Sequence, residues 1–135
     1  MSLESNIVRF RLKAMEATEE VIKQSLFDLF SSIILQTPVD KGFLRNSWNV
    51  SFEGFSTEIP TRPAPVGTAT INRVKLLLNT TYTKDTQAVY FSSNLPYVNR
   101  IEFDGHSAQA PNGMVRINTI RWETIVENNR REFKV

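Results

Sequence analysis

The residues most suited to metal binding or catalysis are Glu102, Asp104 and His106, which stand at alternate positions. In an extended strand, three such side chains would share one face and could bind a metal ion. Asp104 is followed by Gly105, however, and this dipeptide favours a turn that breaks the alternation. His106 is the only histidine, and a lone histidine in a polar loop is more often solvated than a ligand. We therefore expect neither a metal nor a cofactor.

Other catalytic patterns are equally sparse. The absence of cysteine excludes thiol nucleophiles, thiolate zinc sites and disulfides. The sequence contains no GxSxG nucleophile elbow and neither of the phosphate-binding loops GxxxxGK[ST] and GxGxxG. Glu102 and Asp104 could form a catalytic carboxylate pair, but no pattern places them in a cleft. We expect that the protein is not an enzyme.

The charge balance bears on nucleic-acid binding. The chain has 16 Lys and Arg against 14 Asp and Glu, a formal charge of +2. This balance is too even to indicate a nucleic-acid-binding protein or a protein that binds membranes through a polybasic segment. A small basic excess lies at the carboxyl end, which favours a solvated helix face over a phosphate groove. The basic residues there are Arg116, Arg121, Arg130, Arg131 and Lys134.

Length and composition predict one globular domain over residues 1–135, because 135 residues with 41% hydrophobic content can bury an ordinary core. The longest apolar run, Leu26 to Leu35, is far shorter than the ~20 residues that span a bilayer. The first 20 residues lack the apolar core of a signal peptide. The sequence therefore favours a protein made in a cytoplasm, with no membrane partner.

The spacing of apolar residues predicts one long helix from Leu3 to Leu35, ended by Pro38. Such a helix would be ~50 Å long, whereas a domain of this size is ~35 Å across. We therefore expect a neighbouring subunit to cover part of it. The alternative is a kinked or broken helix that the rest of the chain covers. The candidate subunit-interface residues are Ile22, Leu26, Leu29, Phe30 and Ile33.

The rest of the sequence predicts a small antiparallel sheet and further helices, which completes an α+β fold. Strands are expected at 48–53 and 87–92, a short helix at 71–78, and a helical turn after Pro96 that carries Tyr97 and Ile101. Residues 57–68 contain three prolines and predict an irregular loop or arm. A closing helix is expected from about Pro111 to Arg131.

Two segments of the chain resemble a known family. PVDKGFLRNSW, residues 38–48, resembles the signature PVDTGxLRxSW, and LPYVNRIEFDGHSAQAPNGMVR, residues 95–116, resembles xPYAxxVEfGxSxxxAPxGMxR. Both signatures occur in the tail-completion or neck proteins of long-tailed bacteriophages, related to the minor tail protein Z group. Lys41 departs from the usual threonine, and Asp104 lengthens the link before Gly105.

Each motif also has a physical interpretation. Asp40 and Gly42 favour a turn, while Leu44 and Trp48 are expected in the core. The planar guanidinium of Arg45 suits a carboxylate, and the hypothesis is that Glu102 is its partner, within the chain or across a subunit boundary.

The second segment is expected to set the start of the closing helix. Its motif residues are Tyr97, Glu102, Pro111, Gly113 and Met114.

The resemblance implies a structural virion protein that forms a ring, expected to be a hexamer, at the head-proximal end of a phage tail. Its partners would be further copies of itself, the tail terminator or tube protein, and the head-side connector or stopper protein. Genomic DNA would pass through the channel without specific binding, and assembly would take place in the host cytoplasm. The alternatives are a tail terminator or head-closure ring protein and, from another class, a nucleic-acid-binding module.

Overall fold

A central helix carries the fold, with a three-stranded sheet on one side and further helices around it. A computed structural model describes residues 7–11, 19–39, 41–95, 98–103, 107–110 and 112–133. The elements are β1 (Ile7–Arg11), α1 (Glu19–Gln36), β2 (Trp48–Ser51), α2 (Thr68–Thr81), β3 (Ala88–Ser93), α3 (Val98–Phe103), α4 (Arg116–Thr119) and α5 (Trp122–Glu132). They confirm the α+β fold that the sequence predicts.

The sheet is antiparallel throughout, in the order β1-β3-β2. The predicted pairing of the two strands is confirmed, since Val50 of β2 lies opposite Phe91 of β3. Val50 and Phe91 are buried and the residues before them, Asn49 and Tyr90, are less buried, while Ser92 and Ser93 at the end of β3 are buried as well. Val50 and Phe91 therefore mark the sheet face toward the core.

The first strand corrects the prediction of one helix from Leu3 to Leu35. Ile7–Arg11 forms β1, which pairs with β3 from Ile7 opposite Ser92 to Arg11 opposite Ala88. Ile7 and Val8 are β-branched and favour extended backbone, and the pairing satisfies the second edge of β3. The helix therefore begins only at Glu19 and ends at Gln36, close to the end that Pro38 predicts.

Three aromatic rings join α1 to the sheet. Phe91 of β3 stacks on Phe30 of α1, with ring centroids 4.3 Å apart, and on Trp48 of β2, with centroids 4.8 Å apart. All three side chains are buried. Such a stack adds to the burial of large apolar area and fixes the angle between helix and sheet.

The expected subunit-interface residues are part of this core. At 18 residues α1 is ~27 Å long and fits within its own domain. The sheet contacts it through Phe91, and α2 and α5 lie against it, so the prediction that a neighbouring subunit covers these side chains is wrong. The alternative, a kinked or broken helix that the rest of the chain covers, is nearer to the structure, since the helix begins only at Glu19. The buried residues concerned are Ile22, Leu26, Leu29, Phe30 and Ile33.

The carboxyl-terminal helix is shorter than expected and is interrupted. Residues 116–119 form α4, and a turn at Ile120 and Arg121 separates it from α5. The buried Asn118 lies just before this turn, and its amide nitrogen donates to the carbonyl of Met114 at 2.5 Å. Its amide oxygen accepts from Gln36 and Arg121. A buried amide with these partners competes with the backbone pattern of a continuous helix.

The Pro-rich segment, residues 55–67, forms no regular element, as the sequence predicts for 57–68. It is tied to the body of its own chain. The side-chain amide of Asn94 donates to the carbonyls of Ser56 and Glu58, at 2.8 and 2.9 Å. In the part of the chain that the structure describes, none of the helices has the length and apolar character to cross a membrane.

Candidate functional site

The first motif segment, residues 38–48, wraps the end of α1. Gly42 has a φ of 97°, and a side chain there would bring its Cβ within 2.5 Å of the backbone nitrogen of Pro65. Only glycine fits this close approach without strain. Leu44 and Trp48 lie in the core as expected, and the indole nitrogen of Trp48 donates to the hydroxyl of Thr37 at 2.9 Å. Asp40 lies outside the described residues.

Arg45 binds backbone carbonyls. Its Nη2 donates to the carbonyls of Leu35 and Thr37 at 2.9 and 3.0 Å, and Nη1 donates to that of Pro65 at 2.7 Å. Carbonyls at a helix end lack partners within the helix, and a cation there complements the helix dipole. Burial lowers the pKa of Arg45 from its usual value. One guanidinium thus closes α1 and holds the Pro-rich segment against it.

Asn46 joins the same region to α2. Its amide nitrogen donates to the carbonyl of Arg62 at 2.9 Å. Its amide oxygen accepts from the hydroxyl of Thr70 at 2.5 Å and from the guanidinium of Arg73 at 3.0 Å. The first motif segment therefore connects α1, the Pro-rich segment and the start of α2.

The second motif segment is built around the carboxylate of Glu102. This side chain is only 2% exposed. One oxygen accepts from the backbone N–H groups of Met114 and Val115, both at 2.8 Å. The other accepts from the backbone N–H of Arg116 at 2.9 Å and from its Nε at 3.0 Å. Four donors thus replace the water that a buried carboxylate would otherwise lose.

Gly113 makes this arrangement possible. Its φ is 84°, and a Cβ at this position would lie 2.6 Å from the carbonyl oxygen of Glu102. The turn aims three successive N–H groups at the carboxylate, an arrangement that suits anions. Arg116 also donates to the carbonyl of Glu102, and its guanidinium lies 4.7 Å from the ring centre of Phe103.

The hypothesis of an Arg45–Glu102 pair is wrong within the chain. Arg45 is occupied by carbonyls, and Glu102 is occupied by the turn at Gly113 and by Arg116. A pair across a subunit boundary stays a prediction, although Glu102 is almost completely buried in its own chain. The guanidinium that the sequence did not single out, Arg116, is the true partner.

Other residues of the second segment have mixed outcomes. Met114 is completely buried, but Gly113 and Met114 precede the helix, because α4 begins only at Arg116. Tyr97 and Pro111 lie outside the described residues. So do Asp104 and His106, two of the three residues that were considered as metal ligands and not expected to bind a metal. Among the side chains that the structure describes, no three metal-ligating residues cluster.

The two motif segments meet directly. The backbone N–H of Val39 donates to the side-chain oxygen of Gln109 at 2.9 Å, and the amide nitrogen of Gln109 donates back to the carbonyl of Val39 at 3.1 Å. This two-way contact resembles a pair of strand hydrogen bonds made by a side chain. No sequence pattern singled out Gln109, and its position within the second motif was the available signal.

A shallow cleft of about 210 Å³ opens where the segments meet. Its rim carries large apolar side chains that face solvent: Leu35 is 53% exposed and Ile117 is 36% exposed. Val66, which follows the Pro65 carbonyl held by Arg45, is 72% exposed. The lining residues are Leu35, Gln36, Thr37, Arg45, Gln109, Ala110, Asn112, Gly113 and Ile117.

The polar groups of this site are held within their own chain. Arg45, Gln109 and Gly113 are committed to backbone groups, while the exposed side chains around them are partly apolar, as at Leu35, and partly polar, as at Gln36. Comparisons with models of protein families, with curated proteins and with solved structures find no match.

Proposed function

We propose that this protein is a structural subunit of a bacteriophage virion, located at the head-proximal end of a long tail. Copies would form a ring, hexameric by resemblance, that completes the tail and joins it to the head connector. The observation that carries the proposal is the contact between the two segments that resemble the neck family. Residues 38–48 and 95–116 lie far apart in sequence and meet through Val39 and Gln109.

The use of the motif residues supports a structural role. Arg45 and Glu102 are charged residues of the two motif segments, and both bind backbone groups of their own chain. Gly42 and Gly113 each adopt a backbone conformation that admits no side chain. Residues chosen in this way maintain a shape, which is what a ring subunit must present to its neighbours.

The surface available for ring contacts is not the face of α1 that the sequence predicted. Since α1 is covered by its own chain, contacts between copies must use the surface, where Leu35, Val66 and Ile117 remain exposed. Closed rings use heterologous contacts, in which one patch meets a different patch of the next copy. The partners on either side would be the tail terminator or tube protein and the head connector or stopper protein.

The charge of the chain fits a channel that DNA passes through. A formal charge of +2 spread over both signs offers no strongly basic lining that would hold the genome. Genomic DNA would therefore be a passing partner without specific binding. The protein would assemble in the host cytoplasm and remain in the virion.

The test is the position of the protein in the particle. An antibody against the purified chain should label the junction of head and tail in virions that carry it. A nonsense codon in its gene should give filled heads and separate tails, and the chain supplied in trans should join them. Label confined to the capsid or baseplate, or normal joining without the chain, would overturn the proposal. Tails of irregular length would favour the terminator alternative, and salt-sensitive retention of DNA would favour a nucleic-acid-binding module.

A further inference from the structure

Two groups of exposed apolar side chains lie on different parts of the surface. The first, here the α1-end patch, consists of Leu35, Val66 and Ile117 around Arg45. The second, the sheet-face strip, consists of Glu53, Phe55, Glu58 and Ile59.

The sheet itself shows that the patches face in different directions. Tyr90 and Phe91 are neighbours in β3, so their side chains point to opposite faces. Phe91 stacks on α1, whereas Phe55 packs edge-on against Tyr90, with ring centroids 4.7 Å apart. Phe55 of the sheet-face strip therefore lies on the face away from α1, whereas Leu35 of the α1-end patch adjoins α1 itself.

The α1-end patch is apolar with a positive charge beside it. Leu35 and Val66 are 53% and 72% exposed, and the guanidinium of Arg45 holds the carbonyls of Leu35 and Pro65 next to them. Within the described ranges, no carboxylate forms an ion pair with Arg45. A partner surface that supplies apolar groups and a negative charge would complement this patch.

The sheet-face strip has this composition. Ile59 is 59% exposed and Phe55 is 42% exposed, and the carboxylates of Glu53 and Glu58 are exposed on either side of Phe55. The strip combines apolar side chains with acidic ones on a single short segment. One of the acidic residues, Glu58, lies near Arg73 of α2, where its charge opposes the lowering of the Arg73 pKa by burial.

We propose that the α1-end patch of one copy binds the sheet-face strip of the next copy. This inference rests on the proposed function, because it names the contact that would close the ring. The apolar side chains of the two surfaces would cover each other. The carboxylate of Glu53 would lie near the positive charge of Arg45 without replacing its bonds to the three neutral carbonyls. Because the surfaces differ and lie on different parts of the molecule, each copy can bind two neighbours, as a heterologous ring requires.

Single substitutions separate the two surfaces. Val66→Asn places an amide in the α1-end patch, and Ile59→Asn places one in the sheet-face strip. Each buries an unpaired polar group at the contact and should weaken association by about tenfold or more. Leu76→Asn is the matched control, since Leu76 is 63% exposed on α2 and belongs to neither surface. Circular dichroism and thermal melting establish that each variant is folded.

A mixing experiment then identifies the geometry. Light scattering after size exclusion should show rings for the wild type and for Leu76→Asn, and single copies for Val66→Asn and for Ile59→Asn. An equimolar mixture of the two defective variants retains one intact contact per pair. It should therefore form one-to-one dimers and nothing larger.

The outcomes distinguish this inference from the proposed function. Rings that persist in both defective variants would overturn the inference and leave the ring itself standing. Defective variants that stay single when mixed would show that the two surfaces do not bind each other. A wild type that remains a single copy at high concentration would overturn the proposed ring, and the inference with it.

Discussion

Replacing Glu102 with glutamine is expected to destabilise the fold strongly. The carboxylate accepts four hydrogen bonds, two on each oxygen. In the Glu102→Gln variant an amide nitrogen takes the place of one oxygen, so two donors lose their acceptor in a site that is 2% exposed. Each hydrogen bond to a charged group contributes about 1.5–3 kcal/mol, which gives a loss of about 3–6 kcal/mol in all.

This loss is a large part of the total stability, since a domain usually has about 5–15 kcal/mol. Urea unfolding followed by circular dichroism measures it, at one fixed protomer concentration because association shifts the transition. The midpoint should fall while the slope stays the same. Glu127→Gln is the control, since Glu127 is half-exposed and its oxygen lies 3.7 Å from Arg130. That variant should change stability by less than about 1 kcal/mol. Equal stability of both variants would refute the reasoning.

Three further predictions concern the same framework. Gly113→Ala should lower the free energy of unfolding by about 2 kcal/mol or more, because the added Cβ would meet the carbonyl of Glu102. Gly54 also has a positive φ but has open space around it, so Gly54→Ala should lower the free energy of unfolding by less. Equal losses in the two variants would contradict this prediction. Arg45→Lys should lower stability by about 1–3 kcal/mol, because an ammonium group cannot reach three carbonyls as the planar guanidinium does. It should also speed hydrogen exchange at the Ala64 N–H, which donates to the carbonyl of Gly42. Unchanged exchange would contradict the proposed role of Arg45 in holding the Pro-rich segment. Burial, and secondarily the charge of Glu19, raises the pKa of Tyr82 to about 12. The folded chain therefore binds more protons than the unfolded one above pH 10, and stability should fall as pH rises from 10 to 12. Ultraviolet titration should show a smaller rise of the Tyr82 pKa in Glu19→Gln, and an ordinary Tyr82 pKa in the wild type would refute the prediction.

Local signals in the sequence predicted several elements well. Pro38 marked the end of α1, and the alternation after Trp48 marked β2. Gly42 and Leu44 took the positions that turn and core chemistry favour. These features depend on neighbours in the chain, so a single sequence is enough to find them.

Features that depend on distant partners were missed. Ile7–Arg11 became a strand because β3 offered an edge, and the helical spacing at Val8 did not reveal this. Near the interruption before α5, Asn118 accepts a hydrogen bond from Gln36, which lies 82 residues away in the sequence. The sequence indicated that Arg45 and Glu102 matter, yet it could not show that each binds backbone.

The apolar surface of α1 led to the wrong inference for the same reason. Leu29 and Ile33 need cover on several sides, and the sequence could not show that the sheet, α2 and α5 supply it. The residues left for contacts between copies are those that the fold leaves exposed, such as Leu35 and Val66.

The most direct test of the structural account is electron microscopy of the purified full chain at high concentration, with particles classified by symmetry. We expect closed rings around an open channel, with six copies favoured by the resemblance. Isolated single copies in every class, together with mass measurements that give one chain per particle, would contradict the account.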